Sequence, residues 1–212
     1  MRRLLLAAAL GLVAAPVAQA QNLLGNPNFD TNLSGWSNGN PSITSAWDSQ
    51  DVLSDPASGS ALVTSTQTEA GAGSGLIQCV DIAGSGTPRR FEISSFYLIP
   101  GNQVDTAAPD LSLVWFTSGG CVNFINGAQF NTAQGASTTD TWIQLQGSTD
   151  APLDAQSVRV FLRPRIVEPG GSVDVLFDAV FLPEPDSAAL GLAAFASLWA
   201  LRRRSPASPS DR

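Results

Sequence analysis

Val173-Asp174-Val175-Leu176-Phe177-Asp178-Ala179-Val180-Phe181-Leu182 is the stretch that decides the fold. It is largely apolar and rich in β-branched and aromatic residues, the pattern of a strand covered on both faces, and belongs near the centre of a sandwich. Upstream, Val158, Val160 and Leu162 alternate with Arg159, Phe161 and Arg163. A period of two gives that strand one apolar and one mixed face. Working outward, Ile43–Trp47, Ala61–Ser65, Leu76–Ile82, Phe91–Ile99, Leu111–Thr117 and Trp142–Gln146 read as further short strands, and the two C-terminal ones run over Val158–Val167 and Val173–Leu182. Gly, Pro, Asn and Asp punctuate them, and no helical period persists over about 12 residues. Eight or nine such strands predict an all-β, antiparallel sandwich. Ser118–Thr141, rich in Gly, Asn and Thr, reads as the longest loop and the most mobile surface.

Composition narrows the chemistry. The 212-residue chain has no His, and all 11 of its basic residues are Arg. An imidazole base, a Schiff-base lysine, a Ser–Lys dyad or a P-loop lysine therefore cannot be built from it. Between Gln21 and Leu182 five arginines face fifteen Asp and Glu, a net charge of about -10. A surface this acidic repels phosphate backbones, which argues against a nucleic-acid partner. It suits divalent cations or neutral sugars, and also simply keeps an exported protein soluble. Paired carboxylates for glycoside hydrolysis are not evident: Asp174 and Asp178 share a face, but Asp174 stands at a strand start. There is no G-x-S-x-G elbow either, and the body is expected to be non-catalytic.

Cys79 lies within a strand and Cys121 just beyond another. Without a His or Lys to activate a thiolate, a structural disulfide is expected rather than a nucleophile. It would close a loop of 42 positions, worth roughly 4 kcal/mol by chain entropy.

Both ends read as addresses. Met1-Arg2-Arg3, the apolar run Leu4–Ala15 and Ala18-Gln19-Ala20 have the order of a signal peptide over residues 1–20, with the mature chain beginning at Gln21. At the other end Pro183-Glu184-Pro185 precedes the uncharged run Ala188–Leu201 and then Arg202-Arg203-Arg204. As a helix that run is about 21 Å long, shorter than the ~30 Å hydrocarbon core. The arginine cluster would stay on the cytoplasmic side.

This arrangement over residues 183–212 resembles the PEP-CTERM sorting signal of Gram-negative bacteria that build an exopolysaccharide matrix. The resemblance implies an exosortase, an integral-membrane cysteine transpeptidase, as processing partner. It implies Pro183, Glu184 and Pro185 as its recognition residues and Arg202, Arg203 and Arg204 as the stop. It also implies a transient inner-membrane stage before release to the cell surface or outside. The short helix and the eight residues after the arginines depart from the pattern.

The body over 21–182 carries a second resemblance. Asn22-Leu23-Leu24-Gly25-Asn26-Pro27-Asn28-Phe29-Asp30 with Gly35-Trp36, then Ser58-Gly59-Ser60-Ala61-Leu62-Val63, and the closing Phe177-Asp178-Ala179-Val180 are similar to jelly-roll carbohydrate-binding modules. That implies a jelly-roll β-sandwich whose first and last strands pair near a structural Ca²⁺. Asp30 and Asp178 would supply carboxylates, and Ser58 and Gly59 backbone carbonyls, the hard oxygen donors calcium takes. Otherwise Asp178 faces solvent at a strand end and Asp30 makes an Asx-turn.

Such modules hold sugars with aromatic faces and a few polar side chains. Phe161, between Arg159 and Arg163, marks a candidate surface, with Trp115 or Phe116 across from it according to register. Trp36 and Trp142 read as core, beginning strands after turn signals. Two functions are consistent with these residues: a surface module that binds polysaccharide, and a purely structural or adhesive protein without a small ligand.

Overall fold

The computed structural model describes residues 21–66, 74–82, 87, 89–103, 105–168 and 171–184. The expected signal peptide, the apolar run Ala188–Leu201, Pro185 and the arginines Arg202–Arg204 lie outside the described residues. The compact unit that carries the described residues spans Gln21–Pro185.

Among the described residues, ten strands form two antiparallel five-stranded sheets. The first sheet has the order β1 (Ser37–Asn38), β4 (Leu76–Asp81), β9 (Ser157–Arg163), β6 (Asp110–Ser118) and β7 (Val122–Asn131). The second has the order β2 (Ile43–Asp48), β3 (Ser60–Ser65), β10 (Val173–Phe181), β5 (Arg89–Leu98) and β8 (Ile143–Ala151). As expected from its composition, β10 is central, paired to β3 on one side and β5 on the other. Its inward residues Val173, Val175 and Phe177 are buried among Ala61 and Val63 of β3 and Phe91, Ile93 and Tyr97 of β5. From the first sheet come Leu76, Leu111, Leu113, Trp115, Val158, Val160 and Leu162. The Phe91 and Trp115 rings meet across the core at 5.1 Å. That tilted aromatic contact adds to the burial that holds the sheets together.

The two-residue alternation of the sequence therefore holds in β9: its valines and Leu162 are inside. The strand is shorter than the alternation suggests, because Pro164 follows Arg163 and cannot donate to a ladder. The larger correction concerns Ser118–Thr141. It contains β7, a ten-residue strand paired with β6 through Leu113–Phe130 and Phe116–Phe124. Glycine and asparagine hide it. It is an edge strand, exposed enough to carry polar residues, and its positive-φ Asn123 and Gly127 break the alternation.

Cys79 and Cys121 are bonded, with Cα atoms 6.0 Å apart. The bridge ties β4 to the 3-10 turn Gly119–Cys121 that joins β6 to β7. The first and last described residues of the sandwich meet. Leu23 N–H donates to Leu182 O at 2.9 Å, Asn22 bridges Pro183, and Glu184 N–H donates to Gln21 O at 3.2 Å. The sandwich thus reaches past Leu182 and holds the first residues of the Pro-Glu-Pro tripeptide, with Pro183 buried.

Trp36 is in the core, as expected, with its ring against Phe29 at 5.5 Å. Trp142 is half-buried rather than core. It precedes β8, outside the strand.

Candidate functional site

The outer face of the first sheet carries the residues expected to meet a sugar, with one exception. In β9 the residues opposite the core-facing valines are Arg159, Phe161 and Arg163, as the alternation requires. Ser112 and Ile77 stand beside Phe161, and Val114 and Cys79 beside Arg159. Trp115 faces the other way. It is 2% exposed, sealed between the sheets, and presents no ring to a ligand. Phe116 is on the outer face but is only 6% exposed. Arg159 lies over its ring at 4.9 Å and Phe124 packs edge-on at 6.0 Å. A ring covered by a cation and a second ring is a support, not a platform.

Arg163 is also corrected as a ligand contact. It is buried, with Nε on Asp110 Oδ1 at 2.5 Å and Nη2 donating to Asn131 Oδ1 at 2.7 Å. Arg165 adds Nη1 on Asp110 Oδ2 at 3.0 Å. Both oxygens of the fully buried Asp110 are thereby met by guanidinium groups, the condition for a carboxylate to stay inside. What remains for contact on this face is half-buried Phe161, Arg159, and Phe124, Gln129 and Asn131 of β7. Phe124, 51% exposed, was missed because its strand was read as loop. The outward Asn and Gln of that segment were the signal.

A second constellation sits where the loop between β2 and β3 folds onto the second sheet. Asp178 points outward from β10 yet is 1% exposed. Its Oδ2 accepts from Val52 N–H at 2.9 Å and its Oδ1 from Ala179 N–H at 2.6 Å. Burial still pushes its pKa up to about 6, against the pull of those two donors, and the Asp51 carboxylate adds to the rise. Burial also acts to raise Asp51. Hydrogen bonds from Asp55 and Leu53 N–H, the Ser58 hydroxyl and Asp178 outweigh it and hold Asp51 below the ordinary value. Ser58 Oγ in turn reaches Asn28 O at 3.1 Å and Asp30 Oδ1 at 3.4 Å. Gly59 is required here, since a Cβ would come within 2.2 Å of Asp48 O and 2.6 Å of the Trp47 ring.

The structure thus connects Asp30, Ser58 and Asp178 through a residue the sequence reading left out, Asp51. Its signal was the acidic spacing Asp48, Asp51, Asp55 between two strands. The solvent-facing reading of Asp178 is excluded by its burial. Nearby in β3, Ser60 is fully buried and its Oγ has no hydrogen-bond partner. Ser60 directly precedes Ala61, which pairs with Phe177, the residue before Asp178. Two facing carboxylates and an orphaned hydroxyl fit a hard divalent cation. Among the described residues no three acidic or thiolate side chains gather at one point. Hydroxyls and backbone carbonyls would have to complete the shell.

No protein-family model and no curated protein matches this chain. Solved structures do. The xylan-binding domain CBM22-1 of Xyn10C from Paenibacillus barcinonensis is similar over 78% of this chain and 96% of that one, at 16% identity and a TM-score of 0.55. The enzymatically active domain of tailspike protein 4 from bacteriophage CBA120 is similar over 77% of this chain, at 14% identity and a TM-score of 0.56. The CBM22-1–GH10 modules of Clostridium thermocellum xylanase 10B are similar over 74%, at 16% identity and a TM-score of 0.51. The chain spans only 21% of the tailspike domain and 28% of the xylanase modules. The likeness is one of fold. This protein has the β-sandwich architecture of carbohydrate-binding modules.

Proposed function

We propose that the chain is an exported cell-surface or extracellular-matrix protein whose non-catalytic sandwich binds polysaccharide on the outer face of its first sheet. The observation that carries this reading is one sheet face that gathers exposed Phe124, Gln129 and Asn131 beside half-buried Phe161 and Arg159. Aromatic rings suit the apolar faces of pyranoses, and amide and guanidinium groups bind their hydroxyls. The fold shared with carbohydrate-binding modules supports the reading, and the disulfide suits an oxidising compartment. Affinity electrophoresis in gels containing xylan, mixed-linkage glucan or an exopolysaccharide tests it. Retardation is expected, and Phe161→Ala should abolish it while leaving the melting temperature near wild type. Unretarded migration in every gel would overturn it.

The same proposal includes the termini and the metal. Residues 1–20 direct export, and 183–212 form the sorting segment read by an exosortase at Pro183, Glu184 and Pro185. Backbone bonds hold Pro183 and Glu184, the first two residues of that tripeptide, against Asn22 and Gln21 at the margin of the folded domain. Asp178 and Asp51, with Ser58, Ser60 and Asp30 beside them, would hold Ca²⁺. Its role would be to supply positive charge where two carboxylates meet and to fix the β2–β3 loop to β10.

The alternative, a structural or adhesive protein without a small ligand, is favoured by β7. This edge strand is ten residues long and exposes Val122 and Phe124, a template for pairing with another chain. Sedimentation at micromolar concentration separates the two: a monomer with glycan retardation supports binding, and self-association without it supports adhesion.

A further inference from the structure

A groove of about 390 Å³ lies on the opposite side of the sandwich, on the outer face of the second sheet. It is lined by Glu92, Ser94, Gln146, Ser148 and Phe181, with the Ile93 and Gly147 backbone between them. Its polar wall follows from alternation. Phe91, Ile93 and Ser95 of β5 are buried, so Glu92 and Ser94 face out, and Leu145 of β8 is buried, so Gln146 and Ser148 do the same.

Its aromatic wall does not follow from alternation. Val173, Val175 and Phe177 face inward, so a regular strand would bury Phe181 and turn Val180 out. Instead β10 shifts register between Asp178 and Phe181, with Ala179 at a φ of 47°. A left-handed conformation is costly for a residue with a Cβ. The bulge is braced on both sides: Ala179 N–H donates to Asp178 Oδ1 at 2.6 Å, Ser95 Oγ–H to Asp178 O at 2.8 Å, and Val180 N–H to Pro27 O at 2.9 Å. Its result is a phenyl ring 38% exposed, set opposite Ser94 at the groove. Bulges commonly re-aim a side chain beside a site.

We infer that this groove is a second saccharide site, on the face opposite the one proposed above, taking one or two neutral pyranose units of a polysaccharide. Phe181 offers its ring to the apolar face of a sugar. Glu92 accepts from vicinal hydroxyls, Gln146 both donates and accepts, and Ser94 and Ser148 complete the set. The volume lies within the range of small-ligand sites. Neutral sugars fit better than uronates, because the charge in the lining is the Glu92 carboxylate and the Arg90 guanidinium is already engaged, donating to Ser148 Oγ at 2.5 Å. The inference rests on the polysaccharide-binding reading and extends it: two opposed sites would let one domain cross-link two chains of a matrix.

The test is NMR titration of the ¹⁵N-labelled full chain with xylohexaose, cellohexaose, laminarihexaose and mannohexaose in turn. Saturable shifts at Ser94, Gln146 and Ser148 are expected with at least one of them. Phe181→Ala should weaken that site about tenfold and leave shifts around Phe161 unchanged. Gln146→Ala, at an exposed position, should weaken it with the fold intact. Shifts only around Phe161 overturn this inference and keep the first reading. Shifts only in the groove keep the inference and move the function to this face. Shifts at neither place, or groove shifts indifferent to both substitutions, overturn it.

Discussion

Asp110 and Asp178 are both buried aspartates on outer sheet faces, and they have opposite surroundings. Asp110 is met by Arg163 and Arg165, and Arg163 is anchored by Asn131. Asp178 is met by two backbone N–H groups and a second carboxylate, Asp51. The first arrangement neutralises its own charge. The second needs a proton or a cation from outside. Burial alone therefore does not distinguish a structural carboxylate from one that waits for a ligand; the sign of the nearest charge does.

The largest effect should come from breaking the self-sufficient side. Arg163→Ala leaves Asp110 buried with half its partners gone, and Asp110→Ala leaves two guanidinium groups facing each other. Each should cost about 3–5 kcal/mol in urea unfolding, the range for removing one partner of a buried pair. A loss below about 1 kcal/mol in both would mean that water reaches this corner and that the contrast with Asp178 is overstated.

On the other side the missing charge should be supplied by metal. Calcium at about 100 times its dissociation constant should stabilise the fold by about 2.7 kcal/mol, read as a rise in melting temperature that EDTA reverses. Asp51→Asn should abolish that rise. It should also make the metal-free protein more stable than wild type at neutral pH, because an amide can donate to Asp178 where a carboxylate repels it. An unchanged midpoint with EDTA would remove the cation and leave a proton as the only remedy.

These two corners also show what was legible in the sequence. The strands with clean alternation, β5, β6 and β9, and the apolar β10 were legible because period two and burial are local signals. So was the disulfide, since two cysteines without an activating base leave little else. Edge strand β7 was not legible, because an exposed strand has no apolar period to betray it. Alternation placed Phe161 and Arg159 outside, but could not say that Arg163 would be taken by Asp110, 53 residues away. Trp115 obeys that alternation, following Leu111 and Leu113 to the inside. Asp51 was missed because its role depends on a loop folding across a sheet, and the β10 bulge because nothing in Asp178-Ala179-Val180 announces a positive φ.

The pH profile of the metal-free protein gives a finer reading of the acidic corner. Asp178 titrates near pH 6 in the fold, against an ordinary 3.8. Its contribution to stability is thus fully present below about pH 3.8 and lost as pH rises through 6. Asp51 is depressed, so its contribution is present above 3.8 and lost as pH falls through its lower folded value. The pair should give a metal-free maximum near pH 4, where the two opposed slopes cancel, with a decline of roughly 1–3 kcal/mol by pH 7. Saturating calcium should flatten that decline, since a bound cation holds both carboxylates ionised. A metal-free protein whose stability rises steadily from pH 4 to 7 would contradict the raised value for Asp178.

The smallest effect isolates the bulge that adjoins this corner. Ala179 holds a φ of 47°, which glycine adopts without a Cβ penalty. Ala179→Gly removes that strain, of about 1–2 kcal/mol, and adds back unfolded-state entropy of about 0.4–1 kcal/mol. A net gain of about 0.5 kcal/mol in urea unfolding is expected. Ala179→Val, whose branched Cβ tolerates positive φ still less, should lose stability instead. If glycine destabilises and valine is neutral, the left-handed turn is not where the strain lies, and Phe181 owes its outward position to packing alone.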